Sequence, residues 1–341
     1  MAARILAVKL SSLGDVLHAL PAVAEFAAAG ARVEWAVQPQ FAPLVERFSC
    51  VSRVWRIPRP SESRAWFSAV RALGRESFDL VIDFQGLLKS AIVARAPHAK
   101  RVLGPSFARE GSRFFYGELA ARPSKTRRHA VDECFDALRH EGIPVPEEAK
   151  FPIDFPRIDV DSLAPSVSSL RGPRVAVAPF SRWNSKNWPA ERFADAIRIL
   201  AGRDNARIYV AGGPGDSDAA ARIIAAAGVP AANLCGKLSL VESAALFKAC
   251  GVLVTNDSGP MHLAAAAGAR CVALFGPTAP DRTGPWGARH TVLAADPPCP
   301  KAPCRKRTCP LGTGACLASI SAQTVADAAL AASLRLRTAE L

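Results

Sequence analysis

The residues best placed to do chemistry lie in Leu253-Val-Thr-Asn-Asp-Ser-Gly-Pro-Met-His-Leu-Ala, where an apolar run passes through a polar turn into strong helix formers. Positions 252–254 read as a buried strand, 256–260 as a turn and 261–267 as a helix. The first turn of a helix carries unpaired N–H groups and the positive end of the peptide dipole. Ser258, Gly259 and Pro260 would therefore open a pocket for phosphate or polar sugar groups. Asp257 either overhangs that pocket or caps the helix. Two more polar turns follow apolar runs. In Pro179-Phe-Ser-Arg-Trp-Asn-Ser-Lys-Asn-Trp-Pro, the hydroxyls of Ser181 and Ser185 can donate to phosphate oxygens and Lys186 supplies a point charge. Gly212-Gly-Pro-Gly-Asp allows close backbone approach and aims Asp216 at a ribose or sugar diol.

Near the N-terminus, Lys9-Leu-Ser-Ser-Leu-Gly-Asp-Val places Asp15 at a helix start, where a carboxylate either caps the helix or accepts a proton from a substrate hydroxyl. Gly14 stands alone there, without the G-x-G-x-x-G spacing, so a nicotinamide dinucleotide is not expected. Asp-x-Asp pairs occur at Asp159-Val-Asp161 and Asp216-Ser-Asp218. The first lies in a Pro-rich stretch and the second opens a helix, where acids are favoured anyway, so neither is expected to hold a metal.

Apolar runs at 5–10, 33–37 and 80–84 predict strands, alternating with helices at 16–29, 41–48, 64–74 and 87–96. A second series has strands at 175–178, 208–211, 253–255 and 272–275 and helices at 190–201, 217–227, 240–249 and 261–267. This alternation predicts an α/β chain with parallel sheets. Prolines 144, 146, 152, 156, 165 and 173 interrupt any regular element between the two series. The expected organisation is two Rossmann-like domains, 1–155 and 172–320, with a closing helix in 321–341; 341 residues suit two cores. Such sheets bind ligands beyond the carboxyl ends of their strands, so an interdomain cleft is expected.

A formal net charge of +13 points to an acidic partner. Between Arg95 and His129 nine Lys/Arg face only Glu110 and Glu118, a basic face without any nucleic-acid-binding motif, so nucleic acid is disfavoured. The absence of a long apolar run and the strand pattern at the N-terminus predict a cytoplasmic protein. Cys50, Cys134, Cys235, Cys250 and Cys271 are scattered, as suits reduced thiols used as small hydrophobes. Cys299, Cys304, Cys309 and Cys316 cluster and could hold structural zinc, but they lack paired C-x-x-C knuckles. Free thiols or an adventitious disulfide are the other readings of those four.

The chain resembles the ADP-heptose:lipopolysaccharide heptosyltransferases of glycosyltransferase family 9. The resemblance rests on Lys9-Leu-Ser-Ser-Leu-Gly-Asp-Val-Leu-His-Ala-Leu-Pro, Asp83-Phe-Gln-Gly-Leu-Leu-Lys-Ser, Ser185-Lys-Asn-Trp-Pro, Gly213-Pro-Gly-Asp, Asn256-Asp-Ser-Gly-Pro-Met-His-Leu-Ala and Phe275-Gly-Pro-Thr, in that order. It implies a GT-B fold, ADP-heptose as donor, an inverting mechanism with neither metal nor cofactor, and a lipid A core acceptor. The acceptor places the protein peripherally on the anionic inner face of the cytoplasmic membrane. Ala108-Arg-Glu, Phe114-Phe-Tyr and His129-Ala-Val-Asp are most similar to type I members, which add the first heptose to Kdo-lipid A. The late cysteines are instead similar to type II, whose acceptor is heptosyl-Kdo-lipid A. A GT-B sugar-nucleotide epimerase, which needs no acceptor, is the alternative outside the transferases.

By the same resemblance Asp15 is the general base, and Ser181, Ser185 and Lys186 form the phosphate loop, with Arg182 where the family often has a hydroxyl. Asp216 matches a ribose contact and Lys237 and Leu238 border the adenine, while Asp257, Ser258, Gly259 and His262 surround the diphosphate and heptose. On the acceptor side stand Lys9, Ser12 and Gly14 of the first loop, and Arg59, Arg64, Lys125, Arg127 and Arg128 for phosphate and Kdo carboxylates.

Overall fold

A computed structural model describes residues 2–123, 128–296 and 299–337. The chain divides into two compact units, Met1–Asp154 and Phe155–Leu341. The first holds strands β1 (Arg4–Val8), β2 (Arg32–Val37), β3 (Val51–Arg56), β4 (Ser77–Asp83), β5 (His98–Gly104) and β6 (Glu118–Leu119), in the order β3-β2-β1-β4-β5-β6. The second holds β7 (Arg174–Ala178), β8 (Arg207–Val210), β9 (Ala232–Asn233), β10 (Val252–Asn256), β11 (Arg270–Phe275) and β12 (Thr291–Ala294), in the order β12-β11-β10-β7-β8-β9. Every ladder is parallel. Counted from its own first strand, each sheet runs 3-2-1-4-5-6, the doubly wound order. The direction of winding therefore reverses between β1 and β4 in one unit and between β7 and β10 in the other.

The central strands are continuous apolar runs because helices cover both of their faces. All five residues of β10 are buried, as are four of five in β1 and β7. The outer strands escaped the sequence pattern. β3 reads VSRVWR and has no buried residue, β5 reads HAKRVLG with only Val102, Leu103 and Gly104 buried, and pairing with a neighbour rather than side-chain alternation makes them strands. Helices begin close to the expected positions, and Ser217–Ala227 coincides with them. The stretch at 41–48 is shorter than expected: a 3-10 turn at Pro39–Phe41 and a single turn at Ala42–Val45.

The Pro-rich divider is more regular than the prolines imply. Its first part docks on the first unit, where Pro152 accepts from the Ser49 N–H (3.0 Å) and Asp154 donates to Arg47 (2.9 Å). Two short helices follow, Val160–Leu163 and Pro165–Ser168; Pro165 sits at a first helical position, where no N–H partner is needed. Asp159 caps the former, and Asp161 pairs with Arg174 (2.9 Å) and Arg207 (3.1 Å), so this Asp-x-Asp is structural. The terminal helix Ala322–Arg337 lies within the second unit, with Val325, Ala326, Ala329 and Leu330 buried against its core.

All nine cysteines are free thiols. Burial pushes Cys134, Cys250 and Cys271 up to about 12, which keeps them protonated and inert as the scattered pattern anticipates.

His290, just before β12, is held neutral. Its Nδ1 accepts from the Cys271 N–H (3.1 Å), its Nε2 lies 2.9 Å from the Trp286 carbonyl, and burial lowers it from 6.5 to about 4. The unfolded chain binds a proton that the folded ring refuses, so this contribution is intact above pH 6.5 and is lost as pH falls towards 4. The full loss is on the order of 3 kcal/mol. We expect His290→Gln to flatten the fall in melting temperature over that interval; an unchanged profile would show that the ring is not held neutral.

Candidate active site

At the winding reversal of the second unit, the loop after β7 meets the loop after β10. Lys186 Nζ lies 2.6 Å from Asp257 Oδ2, and Thr278, from the loop after β11, donates its hydroxyl to the same oxygen at 2.5 Å. The two charged side chains are 17% and 4% exposed, so removing either partner leaves the other charge poorly solvated. Lys186 also lies 4.9 Å from the centre of the Trp183 ring.

A buried amide fixes this geometry. Asn256 donates Nδ2–H to the Pro179 carbonyl (2.7 Å) and accepts from the Trp188 N–H (3.1 Å), clipping both ends of loop 179–189 to the end of β10. Asn187 accepts from the Ser181 N–H (2.8 Å). The hydroxyl of Ser181 serves the loop itself, donating to the Trp183 carbonyl (3.0 Å) and accepting from its N–H (3.2 Å). Ser185 turns to another segment, with its hydroxyl on the Lys306 carbonyl (2.5 Å) and its N–H on that of Arg307 (3.1 Å). Both serines must give up carbonyl partners before they can donate to a phosphate. Lys186 is thus the member of this loop whose partner, a carboxylate, an incoming anion can replace directly.

Asp257 is not the helix cap. The helix Gly259–Ala266 has Ser258 as its N-cap, with Pro260 in its first turn and a half-buried His262 beside it. Asp257 meets Lys186, and Ser258, Gly259 and His262 follow it through the N-cap and first turn of that helix.

The neighbouring strand ends of the same sheet carry the other residues expected to hold the donor. Asp216 closes the turn Pro214–Asp216 by accepting from the Gly213 N–H (2.8 Å). Gly236 donates to the Gly212 carbonyl (3.0 Å), its φ is +74°, and a Cβ there would lie 2.7 Å from Pro214 Cα. Only glycine permits that approach, which sets exposed Lys237 and half-buried Leu238 beside the turn of Asp216.

The first unit is built alike at its reversal. Gln85 Oε1 accepts from the N–H groups of Leu10 (2.8 Å) and Ser11 (3.3 Å), tying the loop after β1 to the loop after β4. Asp83, fully buried, accepts from the N–H groups of Gln85 (2.7 Å) and Gly86 (3.2 Å) and from the Tyr116 hydroxyl (2.7 Å), and burial raises its pKa. Lys9 is buried with its ammonium on the Phe84 carbonyl (2.6 Å), so it braces the loop from within. Ser12 caps the helix Leu13–Ala28, Gly14 is buried in its first turn, and Asp15 Oδ2 accepts from the Ser12 N–H (2.9 Å) and hydroxyl (2.7 Å). The capping role of Asp15 is therefore real, and the same two donors fix the orientation of its carboxylate.

The expected acceptor arginines separate. Arg59 and Arg64 are exposed near the start of the helix Ser63–Leu73. Arg128 is committed to buried Asp136 by a two-pronged pair (2.8 and 2.6 Å), which Arg139 shares. Lys125 and Arg127 lie outside the described residues. The basic face is also thinner than the sequence suggests, because Lys100 pairs with Asp79 (2.7 Å) and Arg101 grips Glu118 and Glu141 (2.7 Å each). Among the described residues, the carboxylates of Glu118 and Glu141 and the His140 ring form a group with ligand atoms within 4.8 Å of one another. Arg101 already supplies its cation and draws the Glu118 carboxyl down to about 2.

Thr278, Trp183, Asn256 and Gln85 were not singled out from the sequence. Thr278 belongs to the Phe275-Gly-Pro-Thr signature, so its position was visible, but its hydroxyl bond to Asp257 was not.

Residues 66–314 match the description "Glycosyltransferase family 9 (heptosyltransferase)". Lipopolysaccharide heptosyltransferase 1 of Pseudomonas aeruginosa is 33% identical over 327 residues, covering 90% of this chain and 87% of that protein. Lipopolysaccharide heptosyltransferase 2 of Escherichia coli K12 is 34% identical over 133 residues only, 38% of each chain. The solved structure of E. coli heptosyltransferase WaaC with ADP superposes with a TM-score of 0.74 at 26% identity, covering 95% of this chain and 98% of that one. The GT-B fold is that of these structures.

Replacing Asn256 by Ala leaves the Pro179 carbonyl and Trp188 N–H without their partner. Each unmet buried group costs about 1–3 kcal/mol, so we expect a melting temperature lower by roughly 5 °C or more. An unchanged melting curve would show that the clip does not hold the loop.

Proposed function

This chain belongs to glycosyltransferase family 9, the heptosyltransferases, and we propose that it moves heptose from ADP-heptose to the Kdo-lipid A inner core, with inversion and without a catalytic metal. The observation that carries this reading is the Lys186–Asp257 pair beside the start of the helix Gly259–Ala266. A diphosphate carries more charge than the carboxylate it displaces from Lys186. As the glycosidic bond breaks, the leaving ADP gains negative charge, and the ammonium and the helix N–H groups stabilise it in place of a metal. Ser258, Gly259 and His262 border the diphosphate and heptose, Asp216 the ribose, and Lys237 and Leu238 the adenine. Asp257, released from Lys186, turns to the sugar.

Inversion requires the acceptor hydroxyl to attack the face of the sugar opposite the diphosphate. Asp15, held by Ser12, takes the proton from that hydroxyl. Exposed Arg59 and Arg64 are the side chains we assign to the acceptor's phosphate and Kdo carboxylates, since Arg128 would first have to leave Asp136. Kdo-lipid A is favoured over heptosyl-Kdo-lipid A because the type 1 relative aligns over most of the chain and the type 2 relative over about a third. Among the described residues no helix is long and apolar enough to cross a membrane. We assign peripheral contact with an anionic bilayer to exposed Arg95, Arg109 and Arg113, beside Phe114, which is 85% exposed.

The direct test is incubation of the purified protein with ADP-heptose and either acceptor, followed by ADP release and product mass. Transfer to Kdo-lipid A without added Mg²⁺ or Mn²⁺ is expected. Product formed only from heptosyl-Kdo-lipid A, conversion of ADP-heptose without any acceptor, or strict dependence on added metal would each overturn the corresponding part of the proposal.

Asp15→Ala should lower turnover by about 10²–10⁴-fold while leaving ADP affinity within a few-fold of wild type; near-normal turnover would remove Asp15 from the mechanism. Lys186→Ala should weaken ADP binding about tenfold or more, measured by calorimetry. Asp257→Ala should instead weaken ADP-heptose more than ADP, because it frees Lys186 for the diphosphate while removing the sugar contact. Equal ADP affinity in wild type and Lys186→Ala would place the diphosphate elsewhere.

A further inference from the structure

The late cysteines, which the proposed transfer does not use, converge in space. Cys299, Cys304, Cys309 and Cys316, all half-buried, line one cavity together with Ser185 and Gly276. They belong to a long connection: among the described residues no strand or helix occurs between Ala294, where β12 ends, and the short helix Ala315–Ala318. So long an irregular segment inside a compact unit needs something other than backbone ladders to hold it.

Several features suit an ion bound by thiolates. The turn after Cys309, Pro310-Leu-Gly-Thr-Gly, folds back with the Gly312 N–H on the Cys309 carbonyl (3.1 Å), which brings Leu311 and Gly314 into the lining of the same cavity. A Cβ at Gly276 would lie 2.8 Å from Cys316 Sγ, so the cavity floor approaches the sulfur as closely as backbone can. Charge agrees as well. The stretch Cys299-Pro-Lys-Ala-Pro-Cys-Arg-Lys-Arg-Thr-Cys has four cations, Lys301, Arg305, Lys306 and Arg307, and no acid. Four thiolates around a divalent ion leave a net negative site, which those cations offset; four neutral thiols would give them nothing to balance.

We propose that Cys299, Cys304, Cys309 and Cys316 form a tetrathiolate site for a structural, thiophilic metal ion, zinc or iron. On binding, the four S–H groups release their protons to solvent and four sulfur–metal bonds form, with no change of oxidation state. The four sulfurs do not lie within 4.8 Å of one another in this structure, so sharing one ion requires them to draw inward. The ion thereby staples the connection. Ser185 passes that rigidity on, since its hydroxyl and N–H hold the Lys306 and Arg307 carbonyls one residue from Lys186.

The test is elemental analysis of the full chain purified under reducing, anaerobic conditions without a metal-affinity tag. About one zinc or iron per chain is expected, and exchange with Co²⁺ should give the thiolate charge-transfer and visible bands of a tetrahedral cobalt site. Mercurial titration of the wild-type protein should release the ion as four thiols react, a readout independent of whether any variant folds. Cys309→Ser and Cys316→Ser should each lose the ion, whereas Cys271→Ser, outside the cavity, should keep it. ADP affinity should fall in the two former variants. That last readout rests on the donor reading of Lys186; metal content and the cobalt spectrum do not, so the two ideas fail separately. Metal below about 0.1 per chain both as isolated and after anaerobic reconstitution, with the four thiols freely titratable or joined as disulfides, would overturn the proposal.

Discussion

The contact on which the candidate site depends is the 2.6 Å pair between Lys186 and Asp257. The two residues come from strands β7 and β10, which are adjacent in the sheet although two strands separate them in sequence. Doubly wound order places the first strand of a unit beside its fourth, and the two loops leaving that pair diverge to opposite faces. A cation on one loop and a carboxylate on the other then meet over the strand ends. Thr278 adds a hydroxyl to the same oxygen, and Asn256 beneath them keeps both loops in register. The amide is deeply buried, so its lost partners cannot be replaced by water; the charged pair is partly open, so its partners can be exchanged for a ligand's.

The first unit applies the same topology to a different end. There the lysine at the first strand end, Lys9, is buried on a backbone carbonyl, and the residue beyond the fourth strand, Gln85, spends its side chain on two backbone N–H groups. The outcome is a fixed loop that presents Asp15 from the first turn of the helix Leu13–Ala28. One unit thus holds a lysine whose partner is a carboxylate, and the other holds a carboxylate oriented by the N–H and hydroxyl of Ser12.

The charge of +13 was informative in sign but not in position. Of the basic cluster at 95–128, Lys100, Arg101 and Arg128 are engaged with Asp79, Glu118, Glu141 and Asp136, acids distant enough in sequence that composition cannot reveal the pairing. The pair Arg128–Asp136 shows why. Asp136 is almost wholly enclosed and would be left an unpaired buried charge without its arginines.

What the sequence determined by itself was the kind of chain and the places where its strands end in polar loops. Continuous apolar runs ending in polar, Gly-bearing turns specified parallel strands followed by polar loops, because period, turn chemistry and helix starts are local properties. The ordered motifs then identified the family. The outer strands β3 and β5 were not legible, since a partly exposed strand is defined by its neighbour. Nor did the sequence show that Ser185 faces Lys306, that Arg128 is engaged by Asp136, or that Cys299 through Cys316 share a cavity. Those facts are contacts between residues that no local period relates, from 8 to 121 positions apart. Only packing in three dimensions fixes which of several chemically suitable partners a side chain meets.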